Sequence, residues 1–160
     1  MFHNLLVCVD DSCHSQRALA EAIDIATVGN GRITLLTAIP RPPYWATSPA
    51  TAAAVEPLGA DLARQARCTL AAAVERIPES IPVTSVLSEK PIRDAIMDRL
   101  AAGHHDLLVM GSRGRGALSA QLLGSVSHYA LNHAAVPVLI VHADQDVSEP
   151  EAVPLAAATV

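Results

Sequence analysis

Leu107-Leu108-Val109-Met110 is an apolar run that passes without a break into Gly111-Ser112-Arg113-Gly114-Arg115-Gly116. The run has the length of a strand and is apolar at odd and even positions alike, so both of its faces must be covered. Three glycines within six residues then leave the strand end with little side-chain bulk. Such a backbone curls closely around an anion and presents successive N–H groups to it. Gly124-Ser125 follows where the next helical segment begins, adding a hydroxyl and the positive end of a helix dipole. That dipole contributes only about 0.3–1 kcal/mol at an exposed site, so several amides must act together with Arg113 or Arg115.

Outward from this segment, the same two-faced apolar character recurs at Leu5–Val9, Ile33–Ile39, Val83–Leu87 and Val136–Val141. Amphipathic helices alternate with these runs. Ala18, Leu19, Ala22, Ile23 and Ala26 carry the first, and Leu62, Ala66, Leu70, Val74 and Ile77 the second. Pro91 suits the opening turn of a third helix that turns Ile92, Ile96 and Leu100 inward, with Gly103 as its C-terminal stop. The fourth spans Ser125 to Ala134. Strands buried on both sides and separated by helices predict an α/β fold, an open parallel five-stranded sheet with helices on both faces. Prolines at 40, 42, 43 and 49 mark Pro40–Ala50 as a loop, whose Tyr44 and Trp45 either pack on the adjacent helix or cover a ligand.

At 160 residues, 51% apolar and 17% charged, the chain has enough apolar material for one core and too much for disorder. The reading places a single domain over residues 1–142 and a mobile, acidic, Ala-rich tail over 143–160. Net charge is −5, but Asp144, Asp146, Glu149 and Glu151 fall in that tail with no basic residue. The body is then near neutral, without the basic field that nucleic-acid binding requires. No stretch approaches the roughly 18 apolar residues of a membrane helix, and Met1–Asn4 lacks a charged signal-peptide start. A soluble, cytoplasmic protein is expected. Cys8, Cys13 and Cys68 have no C-x-x-C spacing and are read as reduced thiols, Cys13 as a small buried one. The seven histidines form no H-E-x-x-H motif and no ligand cluster, so no metal site is expected.

Val9-Asp10-Asp11-Ser12 ends the first strand, and open α/β sheets bind ligands beyond the carboxyl ends of their strands. Asp10 either meets a base, a ribose or a phosphate-bound cation, or caps the first helix. Ser12 reads as the cap. The spacing Gly111-x2-Gly114-x9-Gly124-Ser125, taken with Val9-Asp10-Asp11-Ser12, resembles the universal stress protein family, specifically its ATP-binding branch. The resemblance spans about residues 2–142.

It implies the Rossmann-like strand order 3-2-1-4-5, which sets the first and fourth strands side by side. By the same resemblance Gly111, Gly114, Gly124 and Ser125 surround the phosphates, with Ser112, Arg113, Arg115, Val126 and Ser127 around them. Val9, Asp10 and Ala38 line adenine and ribose. A homodimer through the last strand, Val136–Val141, is implied, and Pro137 suits an edge position there. Three departures stand out. Asp11 occupies a position where many relatives have Gly, Glu89-Lys90-Pro91 stands where a Gly often precedes the proline, and Ala38 is smaller than the usual branched residue.

There is no G-x-x-x-x-G-K-[ST], and the sole lysine is Lys90, so the hydrolytic machinery of P-loop enzymes is missing. What the resemblance implies is an ATP-binding stress-response protein, a nucleotide-dependent switch or binding module with slow hydrolysis at most and magnesium as the phosphate-bound cation. The alternatives are a cyclic-AMP binder of the same fold, a dedicated ATPase, and a structural dimer with an empty loop.

Overall fold

The computed structural model describes residues 1–40, 52–114 and 123–143, with only the backbone of 52–56. Arg115, Tyr44 and Trp45 therefore lie outside the described residues, as does the predicted tail apart from Ala143. The element order is β1 (Asn4–Cys8), α1 (Cys13–Gly29), β2 (Arg32–Ala38), α2 (Ala52–Glu75), β3 (Val83–Ser88), α3 (Ile92–Gly103), β4 (Leu107–Gly111), α4 (Ser125–His133) and β5 (Val138–Val141). All strand pairs are parallel, in the order β3-β2-β1-β4-β5. This is the expected Rossmann-like α/β sheet.

Alternation across the central strands sorts the core into two layers. Leu5, Val7, Ile33, Leu35, Leu107 and Val109 pack against α1 and α2, whereas Leu6, Cys8, Leu36, Leu108 and Met110 pack against α3 and α4. Leu5–Val7 and Leu108–Val109 are wholly buried, and each such side chain contributes about 1.5–3 kcal/mol. In register, Leu5, Leu6 and Val7 face Leu107, Leu108 and Val109. That pairing brings the ends of β1 and β4, and the two motif segments that follow them, side by side.

Four local expectations are corrected. Val83–Leu87 has no two-sided burial, because β3 is an edge strand whose first three residues are exposed. Cys13 is exposed, since it opens α1 on the solvent side. The third helix does stop near Gly103, but the left-handed residue that ends it is His104, with φ 52°. The last strand begins at Val138; Pro137 stands just before it, its carbonyl accepting the Leu108 N–H at 3.0 Å. Asp11 has φ 68°, a left-handed conformation that glycine adopts without penalty and Asp tolerates better than most residues.

Candidate functional site

Beyond the carboxyl ends of β1, β2 and β4 lies a cavity of about 690 Å3, within the range of small-molecule sites. Its walls show why the sequence leaves room there. A β-carbon at Gly111 would come 2.8 Å from the His14 carbonyl carbon, and one at Gly124 would come 3.2 Å from the Ser112 carbonyl oxygen. At Gly114 it would press on the Asp10 carboxylate. Glycine is what lets β4, α1 and the start of α4 approach so closely.

Val9 is fixed by backbone and side chain together. Its N–H donates to the Leu36 carbonyl at 3.0 Å, and its carbonyl accepts from Thr37 Oγ1 at 2.9 Å. Asp10 Oδ1 accepts from the Ser12 N–H at 3.1 Å and from Ser12 Oγ at 2.6 Å. Ser12 caps α1 as expected, accepting the Ser15 N–H at 3.2 Å, and its Oγ lies 3.3 Å from the Arg113 carbonyl. Asp10 therefore supports the cap with one oxygen while the other faces Gly114. The two motif segments are tied together before any ligand arrives.

The glycine segment is fastened to α4 from the other side. The Gly124 N–H donates to the Ser112 carbonyl at 2.8 Å, and Ser127 Oγ donates to the Gly111 carbonyl at 2.9 Å. Among the described residues no side chain caps α4, nor α3 behind Pro91. Gly124, Ser125, Val126 and Ser127 line the cavity, as do Pro91 and Ile92. Two helix N-termini thus open onto one space with their first amides uncapped by side chains, an arrangement that favours an anion. Arg93 steadies this wall: its Nη2 donates to the Ser125 carbonyl at 3.1 Å, and its guanidinium lies 5.2 Å from the centre of the Tyr129 ring.

Of the residues the sequence singled out, Val9, Asp10, Ala38, Gly111, Arg113, Gly114, Gly124, Ser125, Val126 and Ser127 line this cavity. Ser112 does not. It is completely buried and lies 3.3 Å from His14 Nδ1, behind the cavity wall. Sequence reasoning missed Cys8, Ile39, Pro40, Pro91, Ile92 and Met110, which make the opposite wall largely apolar. Pro91 was legible as a helix start, but nothing local shows that this start faces the cavity.

The chemistry available is limited. Burial, reinforced by Asp10, pushes the Cys8 thiol up to about 12, so thiolate attack from the cavity floor is excluded near neutrality. Asp10 and Arg113 are the charged side chains on the described lining. Lys90 lies elsewhere, paired with Asp98 at 2.5 Å. Among the described residues no group of three His, Cys, Asp or Glu is arranged to hold a metal ion, and no helix is long and apolar enough to cross a membrane.

Comparison with known proteins follows the same lines. A universal stress protein from Thermus aquaticus is 30% identical over 149 residues, covering 88% of this chain and 99% of its own. One from Mycolicibacterium smegmatis is 27% identical over 156 residues, covering 96% of this chain and 52% of its own; the chain spans about half the length of that relative. The solved structure of a universal stress protein from Lactobacillus plantarum superposes with TM-score 0.73 at 24% identity, over 88% of this chain and 97% of that one. A universal stress protein in complex with cAMP matches at TM-score 0.55 and 26% identity, over 88% and 97% of the two chains. A family protein from Arabidopsis thaliana with AMP bound matches at 0.65 and 19%, over 93% and 97%. The family's sequence model covers residues 1–142: the chain belongs to the universal stress protein family.

Proposed function

We propose that the cavity binds an adenine nucleotide, with ATP its principal occupant, and that the protein acts as a nucleotide-dependent switch. The observation that carries this reading is the pair of uncapped helix starts, α3 and α4, opening onto one cavity beside Gly111 and Gly114. Phosphates fit the amides of Ser125 and Val126 and the Arg113 side chain, while the apolar wall of Val9, Ala38, Ile39 and Ile92 suits a base. Asp10 is the described carboxylate nearest the glycine segment, and magnesium would offset its charge beside a polyphosphate. A cytoplasmic homodimer joined through the open edge of β5 completes the reading; β5 pairs with β4 alone within the described sheet.

Hydrolysis is slow at most. Phosphoryl transfer needs a positioned base or an oriented water, and Asp10 Oδ1 already accepts two hydrogen bonds from Ser12. Turnover below about 1 s⁻¹ is expected, under the ordinary enzyme range. Cyclic AMP is the second reading, favoured by the cAMP-bound relative at 26% identity and by the single cation on the described lining.

Calorimetry with ATP, AMP and cyclic AMP tests both readings on the wild type and on Gly114→Val. The variant is expected to bind at least about a hundredfold more weakly, because its side chain fills the close approach that glycine allows. Its fold should persist, since the atom it meets belongs to the Asp10 side chain rather than to backbone. Equal affinity in the two proteins would place the nucleotide elsewhere.

A further inference from the structure

His14, on the first turn of α1, is buried directly behind the glycine segment. Its ring joins two stretches of chain that are remote in sequence. Nδ1 accepts the Ala143 N–H at 2.7 Å, just past β5, and lies 3.3 Å from Ser112 Oγ, between Gly111 and Arg113. A ring nitrogen that accepts from an amide carries no proton, so this geometry requires neutral His14 with its proton on Nε2. A proton added at Nδ1 changes the partners. The new N–H donates to Ser112 Oγ, which has lone pairs to accept it, and it opposes the Ala143 N–H, which has none. Ser112 is then held as an acceptor, and Ala143 is displaced.

Three charged or titratable groups face the ring: Arg113 from the glycine segment, His142 from the end of β5, and Asp10 from the end of β1. Burial first, then Arg113 and His142, hold the imidazole below its ordinary value of 6.5, while Asp10 pulls the other way. An anion seated at Arg113 would offset the second of these influences.

Resting on the nucleotide reading above, we propose that His14 is a positioning residue that couples phosphate occupancy of the glycine segment to release of Ala143. A bound phosphate favours the imidazolium. By thermodynamic reciprocity the imidazolium favours the phosphate to the same degree. Nucleotide thus opens the Ala143 contact at a pH where the empty protein keeps it closed. Ala143 is the residue from which the acidic stretch 144–160 continues in sequence.

The test is an NMR titration of the full chain from about pH 7.5 to about pH 5, following the His14 ring nitrogens and the Ala143 amide, without and with ATP. The Ala143 signal is expected to track the His14 midpoint, and ATP to raise that midpoint by roughly half a unit, equivalent to about a threefold gain in affinity. His14→Asn places an Oδ1 where Nδ1 stood, able to accept the Ala143 N–H but not to be charged. The ratio of wild-type to His14→Asn affinity for ATP should therefore rise about threefold as pH falls across the range, the ligand's own titration cancelling. An Ala143 signal indifferent to His14, a midpoint unmoved by ATP that binds, or a flat ratio each overturns the proposal. If no nucleotide binds at any pH, the nucleotide reading and the coupling fail together, while co-titration of Ala143 with His14 is decided separately in the free protein.

Discussion

β1 and β4 are paired in parallel from Leu5–Val7 to Leu107–Val109, yet their two ends are finished in opposite ways. At the amino end, side chains close the gap. The Asp106 carboxylate accepts the His3 N–H at 2.7 Å and the Asn4 N–H at 2.9 Å, and Asn4 Nδ2 donates to the Gly103 and His104 carbonyls at 3.2 and 3.0 Å. At the carboxyl end, the same two strands run into Asp10 and Gly111, and glycines at 111, 114 and 124 keep the neighbouring backbones close while the cavity stays open. Side chains fasten both ends, but at the amino end they fill the gap, whereas at the carboxyl end Ser12 and Ser127 hold backbone around a space that is left open. Substitutions at the amino end should therefore lower stability without touching the cavity, whereas those at the carboxyl end should act on binding.

The sharpest challenge to that division is Gly111→Val. Its side chain would meet the His14 carbonyl carbon and the Ser15 nitrogen at 2.8 and 2.9 Å, and backbone cannot yield as the Asp10 side chain does at Gly114. A loss of about 3 kcal/mol is expected, visible as a lower urea midpoint together with lost nucleotide binding. Gly114→Val should lose binding alone. Equal stabilities of the two variants would break the distinction between a wall of backbone and a wall of side chain.

Asp106→Ala comes next. Removing the carboxylate strips the partners from two amides, and about 2 kcal/mol should be lost. Nucleotide affinity measured by calorimetry should stay within about twofold of wild type. A larger change would mean that the two ends communicate.

Acid supplies the smallest effect. His105 is buried at the amino end, and among the described residues neither of its ring nitrogens nor Arg99 Nε has a hydrogen-bond partner. Burial, then Arg99, lower its pKa below the ordinary 6.5. The unfolded chain therefore takes up this proton first as pH falls. The stabilising contribution of neutral His105 is complete above about pH 6.5 and is lost as pH drops through the lower folded value. His105→Leu should flatten part of the fall in urea midpoint between about pH 7 and about pH 5. His14 contributes with the same sign, so some slope remains.

Much of the fold was legible because a covered parallel sheet leaves a strong local mark: runs such as Leu107–Met110 are apolar at every position, and helices such as α1 repeat at fixed spacing. Edge position leaves a weaker one. Val83–Leu87 reads like a central strand, yet within the described sheet β3 has a neighbour on one side only. Within the site, the glycine segment and Val9-Asp10 were legible because their residue types are unusual in themselves. The apolar wall was not, since Ile39 and Ile92 reach the cavity only through the strand order. His14 was invisible for the same reason: its partner Ala143 lies 129 residues away, and a histidine near a helix start carries no local sign of such a contact.

Amide chemical-shift mapping with AMP added to the wild-type protein tests the difference between the two ends most directly. The largest shifts are expected at Gly111, Gly114, Gly124, Ser125 and Val126, with Asn4 and Asp106 unmoved. Shifts concentrated at the amino end, or none anywhere at millimolar AMP, about the weakest affinity worth measuring, would contradict it.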